Sequence, residues 1–148
     1  MEQDIILVED NPDDLELTLE AFRMLAMSQR IKTFRDGVEV IQYLFPENTE
    51  EIPAKHHICL MLLDLNLPRM NGLQVLEKLR ADPRTKTIPV VMLTSSGRDE
   101  DRLTSYGLGV NSYVRKPVDF DDFIRVAEQL KVYWTEINEP VNDDLSVN

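Results

Sequence analysis

Ile58-Cys59-Leu60-Met61-Leu62-Leu63-Asp64-Leu65-Asn66-Leu67-Pro68 is the stretch from which the fold is read. Its six consecutive apolar residues, Ile58 to Leu63, are too few for a buried helix, and Pro68 and Gly72 bound them downstream. Such a run predicts a strand covered on both faces, as in the middle of a parallel sheet. Asp64 ends it. Open α/β sheets place their chemistry in the crevice beyond the carboxyl ends of the strands, so a carboxylate there is a candidate functional group. Taken alone, Asp64 is better read as a residue that ends the strand and caps the next turn. Its meaning depends on how the other strands end.

Upstream, Asp4-Ile5-Ile6-Leu7-Val8-Glu9-Asp10 sets four consecutive apolar residues before two acids, a second buried strand with carboxylates at its carboxyl end. Asn11 and Pro12 open a helix as N-cap and first helical residue, and Asp13 and Asp14 suit its dipole in the first turn. Leu15, Leu19, Phe22 and Ala26 give that helix one apolar face to about Met27. Residues 31–35 alternate apolar and polar, a strand at an edge. Asp36-Gly37 is a turn, and Val38, Ile41, Leu44 and Phe45 mark a short helix. Residues 46–57 are polar with two prolines and form a surface loop, long for an α/β connection. His56 and His57 lie in it without Cys or acidic partners at ligand spacing, so they read as loop residues and not as a metal site.

Downstream, Asn71 caps a helix through Leu73, Leu76 and Leu79 that stops at Asp82-Pro83. Residues 88–93 form a strand ending in Thr94-Ser95-Ser96-Gly97. Residues 98–107 form a helix whose large hydrophobes are Leu103 and Tyr106, a composition that suits a movable element. Residues 111–115 form a short strand ending at Lys116-Pro117. Phe120, Phe123, Ile124, Ala127, Leu130 and Trp134 give the last helix a strong face, widened by Val126 and Tyr133. That width serves either packing under the 46–57 loop or a dimer surface, and an exposed aromatic patch favours the second.

Strand and helix alternate five times, which predicts a parallel sheet sandwiched by helices through right-handed crossovers. All carboxyl ends then gather on one edge, and Glu9, Asp10, Asp64, Thr94 and Lys116 fall there. A chain of 148 residues fits one domain. A formal net charge of −11 argues against a nucleic-acid surface and against attraction to anionic lipid. Cys59, the single cysteine, is expected as a packed core thiol. With no leader-like start and no long apolar span, the expectation is a soluble, cytoplasmic protein.

Carboxylates a few ångström apart repel by about 4 kcal/mol per pair at an effective dielectric near 20. The cluster therefore wants a cation, and hard oxygen donors without His or Cys favour Mg²⁺. Lys116 adds a second positive point beside Asp64. A carboxylate so flanked, with the Thr94 hydroxyl nearby, is equipped to attack a phosphoryl group as a nucleophile.

Together, Glu9-Asp10, Asp64-x-x-x-Pro68-x-x-x-Gly72, Thr94 and Lys116-Pro117 resemble the response-regulator receiver domain of two-component signalling, over about residues 4–134. The resemblance implies a flavodoxin-like, doubly wound α/β fold with a five-stranded parallel sheet in the order 2-1-3-4-5. It implies a receiver domain over residues 1–137, with residues 138–148 as a flexible acidic tail. By the same resemblance Asp64 is the phosphoacceptor, and Glu9, Asp10 and Asp64 hold Mg²⁺ with the backbone carbonyl of Asn66. Lys116 contacts the phosphoryl group and precedes a cis Pro117. Thr94 and Tyr113 form a switch pair, although Tyr113 alone also reads as a plain strand aromatic. Asn66 and Ser96 would flank the phosphoryl group at positions that tune its lifetime in the family. Leu67 stands where Met is commoner before Pro68, and Arg115 precedes the lysine; neither touches the chemistry.

One domain's length resembles a stand-alone, chemotaxis-type response regulator, not a turnover enzyme. Its partners would be a sensor histidine kinase and a downstream protein target or phosphotransfer protein, with no nucleic acid and no membrane. A homodimer through the fourth helix, fifth strand and fifth helix is a further expectation. The long loop and the Tyr133-Trp134 helix end resemble regulators paired with bacterial phytochromes. Three alternatives stand beside this. A flavin- or nucleotide-binding module would need a Gly-rich loop where Glu9-Asp10-Asn11-Pro12-Asp13-Asp14 stands. A phosphatase would carry a second acid two residues after its nucleophile, where this chain has Asn66. A phosphorelay intermediate differs only in what receives the phosphoryl group.

Overall fold

The apolar runs become the inner strands of one sheet. In the computed structural model, which describes residues 3–25, 29–47 and 58–141, the strands are β1 (Asp4–Val8), β2 (Arg30–Phe34), β3 (Ile58–Leu63), β4 (Val90–Thr94) and β5 (Ser112–Arg115). All pair in parallel, in the order β2-β1-β3-β4-β5. The flavodoxin-like α/β architecture expected from the sequence is the one observed.

Because side chains alternate along a strand, each inner strand feeds two cores. Ile6, Val8, Met61, Leu63, Val90 and Met92 pack with Val40 and Leu44 of α2 (Gly37–Leu44) and with Val75, Leu76 and Leu79 of α3 (Gly72–Ala81). Ile5, Leu7, Leu60, Leu62, Val91 and Leu93 face the other way, against Ala21 and Phe22 of α1 (Pro12–Arg23) and Phe123 and Ala127 of α5 (Phe120–Val132). One irregularity interrupts the alternation. Asp4 pairs with Ile58 but Ile5 pairs with Leu60, so Cys59 is the extra residue of a β-bulge. Burial pushes its thiol up to about 11, and it is the inert core cysteine that the sequence predicts.

Several expectations are corrected. The first helix ends at Arg23 with Met24 as its C-cap; Ala26 and Met27, expected near its end, lie outside the described residues, as do His56, His57 and most of the 46–57 loop. The helix of low apolar content is α4 (Asp99–Gly107), and as expected it has few buried contacts: Leu103 is 78% exposed and Tyr106 also faces out, while the small Ser105 is buried, its hydroxyl donating to the Asp101 carbonyl. Phe120, assigned to the inner face of the last helix, is exposed; Phe123, Ala127 and Trp134 are buried. α5 runs on into a π-helical turn, Tyr133–Ile137. The wider turn drives Trp134 into the second core and leaves Tyr133 outside it, ring edge to ring face at 4.9 Å. Asn138–Val141 then help line a cavity of about 700 Å³ against Pro89, Ser112, Val114 and Leu130; residues 142–148 of the expected tail lie outside the described residues.

Two glycines allow the close approaches that set the β3–α3 turn. A Cβ on Gly72 would lie 2.2 Å from the carbonyl oxygen of Asp64, and one on Gly37 would lie 2.0 Å from that of Met70. Gly72→Ala is expected to destabilise the protein by about 1–3 kcal/mol through overpacking, measured as a lower urea midpoint with unchanged slope. An unchanged midpoint would refute the packing role assigned to Gly72.

Candidate functional site

Parallel pairing fixes where each strand tip lies. The amide of Glu9 donates to Phe34 O at 2.9 Å and that of Asp64 donates to Val8 O at 3.0 Å, so the ends of β1 and β3 are level. The amide of Lys116 donates to Thr94 O at 2.8 Å, which brings β5 to the same edge. Carboxylate oxygens of Glu9, Asp10 and Asp64 lie within 4.8 Å of one another. Glu9 and Asp64 are buried and Asp10 is half-buried. These acids carry neither His nor Cys among them, a donor set that fits a hard divalent cation.

The ammonium of Lys116, itself 7% exposed, faces this cluster. It donates to Glu9 Oε1, to Asp64 Oδ2 at 3.3 Å and to Asp14 Oδ2 at 2.9 Å. Asp14 is a residue that the sequence reading assigned only to the helix dipole. Asn11 places it: the cap oxygen accepts from the amides of Asp13 and Asp14 at 2.9 and 3.0 Å, which starts α1 directly over the strand tips. A carboxylate in the first turn of a helix that begins at a sheet's carboxyl edge was the available signal.

The β3–α3 turn is held from behind. Arg69 adopts φ 62°, in the left-handed region that non-glycine residues seldom occupy, and its guanidinium binds Asp36 Oδ2 at 2.7 and 3.0 Å. Asp36 in turn caps α2 by accepting from the amide of Glu39 at 2.8 Å. Burial would raise the Asp36 carboxyl, but the Glu39 amide and Arg69 outweigh it and hold it below the usual carboxylate range. Asn66, exposed beside this turn, donates its amide to Asp64 Oδ1 at 3.5 Å.

On the other flank Ser96 joins three elements. Its amide donates to Thr94 Oγ1 at 3.3 Å, its carbonyl accepts from the Tyr113 hydroxyl at 3.0 Å, and its hydroxyl donates to Asp101 Oδ2 of α4 at 2.5 Å. Thr94 is fully buried and Tyr113 half-buried. The expected cis bond before Pro117 is absent: the described peptide bonds are trans, the form favoured even before proline by about 0.5–1 kcal/mol.

Burial and the neighbouring charges together shift the ionisable groups of the site. Burial, with the hydrogen bond and charge of Asp64, raises Glu9 from 4.5 to about 7, and Lys116 offsets only part of this. Burial pulls Lys116 down, but its bond to Glu9, the field of Asp64 and its bond to Asp14 outweigh that and hold the ammonium well above its ordinary value.

A model of the response regulator receiver domain matches residues 5–128, and the chain belongs to that family. The probable methanogenesis regulatory protein FilR2 of Methanothrix harundinacea (strain 6Ac) is 39% identical over 130 residues, 88% of this chain and 82% of FilR2. Response regulator Rcp1 of Synechocystis sp. is 33% identical over 132 residues, 89% of this chain and 88% of Rcp1. The crystal structure of Mn(2+)-bound Rcp1 matches at a TM-score of 0.82 and 32% identity, covering 94% of this chain and 99% of that one. The phosphorylated cyanobacterial phytochrome response regulator RcpA matches at a TM-score of 0.84 and 34% identity, covering 95% of this chain and 99% of that one.

A carboxyl raised on folding binds its proton more tightly in the folded state, so its stabilising contribution is complete below the unfolded value and lost as pH rises through the folded one. In chelator, the unfolding free energy is therefore expected to fall between pH 4.5 and about 7 through Glu9. Glu9→Gln is expected to flatten that interval in urea titrations; an equal slope in wild type and variant would show that Glu9 is not the titrating group.

Proposed function

We propose that this chain is a single-domain response regulator that accepts a phosphoryl group on Asp64 from a sensor histidine kinase in a Mg²⁺-dependent reaction. One observation carries the proposal: the Asp64 carboxylate lies within hydrogen-bond reach of the Lys116 ammonium and within 4.8 Å of the Glu9–Asp10 pair, in one crevice at the strand tips. Glu9, Asp10 and Asp64 would hold the Mg²⁺, with the backbone carbonyl of Asn66 as a further ligand. When bound, the ion neutralises charge on the phosphoryl oxygens.

The chain's own groups do the rest. An Asp64 oxygen attacks phosphorus in line, the P–N bond to the donor imidazole breaks, and the electron pair leaves with that ring. Lys116 presents its N–H bonds to the phosphoryl group. The Thr94 oxygen accepts from Ser96, which leaves its O–H to donate to a phosphoryl oxygen. Movement of Thr94 away from the Ser96 amide would disturb the residue that also holds Tyr113 and α4, and so alter the surface that another protein reads. This linkage supports a switch role for Tyr113 over that of a plain strand aromatic, and an output regulator over a phosphorelay shuttle. Asn66 offers no acid two residues after Asp64, which supports a lasting signal over enzymatic turnover.

Alignment over most of the length of FilR2 and Rcp1 supports a stand-alone regulator built on residues 1–137, with 138–148 as its tail. Likeness to the phytochrome response regulator RcpA supports a phytochrome-type kinase as the partner. Exposed Leu103, Tyr106, Val118 and Phe120 support a homodimer through α4, β5 and α5. Among the described residues no helix is long and apolar enough to cross a membrane; we assign the protein to the cytoplasm.

Acetyl phosphate with Mg²⁺ is expected to add one phosphate, on Asp64, by intact-mass and peptide analysis. Asp64→Asn or chelation is expected to abolish it. Free phosphate released over many turnovers would point to a phosphatase instead. A phosphotransfer profile across candidate kinases tests the partner: preference for a kinase without a phytochrome module would overturn that assignment.

A further inference from the structure

Lys116 has three N–H bonds to give. Glu9, Asp14 and Asp64 each accept one. The ammonium is thus saturated by carboxylates, and the bond to Asp64 is the longer of the two to aspartate, 3.3 Å against 2.9 Å to Asp14. The three acids differ in exposure. The Glu9 and Asp64 side chains are 3% and 9% exposed, whereas that of Asp14 is 37% exposed. Asp14 is fixed from its own backbone: its amide is held by the Asn11 cap at 3.0 Å and its carbonyl accepts from the Thr18 hydroxyl at 2.8 Å. The carboxylate therefore approaches the lysine from the α1 side on a rigid helix start.

We propose that Asp14 is a positioning residue that restrains Lys116, holding one of its donors on the α1 side and so slowing phosphorylation of Asp64. The inference rests on Asp64 being the phosphoacceptor. When Asp64 attacks an acyl phosphate, a P–O bond to Asp64 forms, the P–O bond to the acyl group breaks, and the carboxylate leaves with the electron pair. No net proton is transferred, and the phosphoryl oxygens arrive with their full negative charge. They need a lysine N–H that all three carboxylates already occupy. Glu9, its side chain 3% exposed, is buried against the ammonium, so releasing it would strand a charge. Asp14 reaches solvent and can be re-hydrated when its bond is given up. Of the two acids that flank the acceptor, Asp14 is the one that yields, and its hold sets a barrier to the lysine's turn toward phosphate.

The test is the initial rate of phosphorylation by acetyl phosphate in saturating Mg²⁺, read by intact mass on the full chain. Asp14→Ala is expected to react about twofold to fivefold faster than wild type, the range set by loss of one partly exposed ion pair. Asp14→Asn, which keeps the shape of the helix start, is expected to fall between the two, and Asp14→Glu to return the rate to that of wild type. In a Lys116→Ala background the Asp14→Ala gain is expected to vanish, an outcome that a merely structural role for Asp14 would not produce. A rate that is unchanged or slower in Asp14→Ala and Asp14→Asn, or an equal gain without Lys116, overturns the restraint. If wild type takes no phosphate at Asp64, the proposed function falls first and this inference with it; phosphorylated wild type with an unresponsive Asp14 overturns this inference alone.

Discussion

A single ammonium lets four carboxylates share the carboxyl edge of this sheet. Pairs of acids held a few ångström apart repel by about 4 kcal/mol each at an effective dielectric near 20, and Glu9 and Asp64 are largely withdrawn from water. Lys116 does not remove this cost. Burial, with the hydrogen bond and charge of Asp64, still holds the Glu9 carboxyl above the usual carboxylate range, and Lys116 offsets only part of this. Breaking such a buried pair strands a charge, while building it gains little over an apolar core. The cluster is a stability liability, and a cation bound there would meet a site that already holds unbalanced charge.

The rest of the fold keeps that cluster in place. Parallel pairing makes the tips of β1, β3 and β5 level, and the glycine at the start of α3 packs against the Asp64 carbonyl so that the turn after β3 cannot relax outward. Arg69, in a left-handed conformation and bound to the cap of α2, closes the turn from the far side. The acids are thus fixed by two cores and one ion pair on the outside, none of which takes part in the chemistry. Rigid support for a charged site on strand tips is what such sheets provide.

Opposite this rigid wall stands a lightly anchored flank. α4 carries acids in its first turn, buries one small residue and turns its two largest hydrophobes to solvent. Little apolar area anchors it, so its position depends on few contacts. One of those is the Ser96–Asp101 hydrogen bond, made by the same residue that meets Thr94 and Tyr113. A hydroxyl at the site and a helix on the surface are separated by two hydrogen bonds through one serine.

Element order, the parallel sheet and the strand-end residues Glu9, Asp10, Asp64, Thr94 and Lys116 were determined by the sequence alone, because apolar runs ending in charge record both burial and polarity along the chain. Hydrophobic pattern says nothing about which exposed-looking residue turns inward. Asp14 read as a helix-dipole acid, Phe120 as part of the last helix's apolar face and Ser96 as a residue flanking the phosphoryl group; in the folded chain they are a lysine partner, a surface ring and a three-way junction. Those roles depend on the angle at which α1, α4 and α5 meet the sheet, and that angle is decided by packing between residues far apart in sequence. The tertiary structure alone also set the widened turn that buries Trp134, since local propensity permits either form and only the surrounding contacts choose.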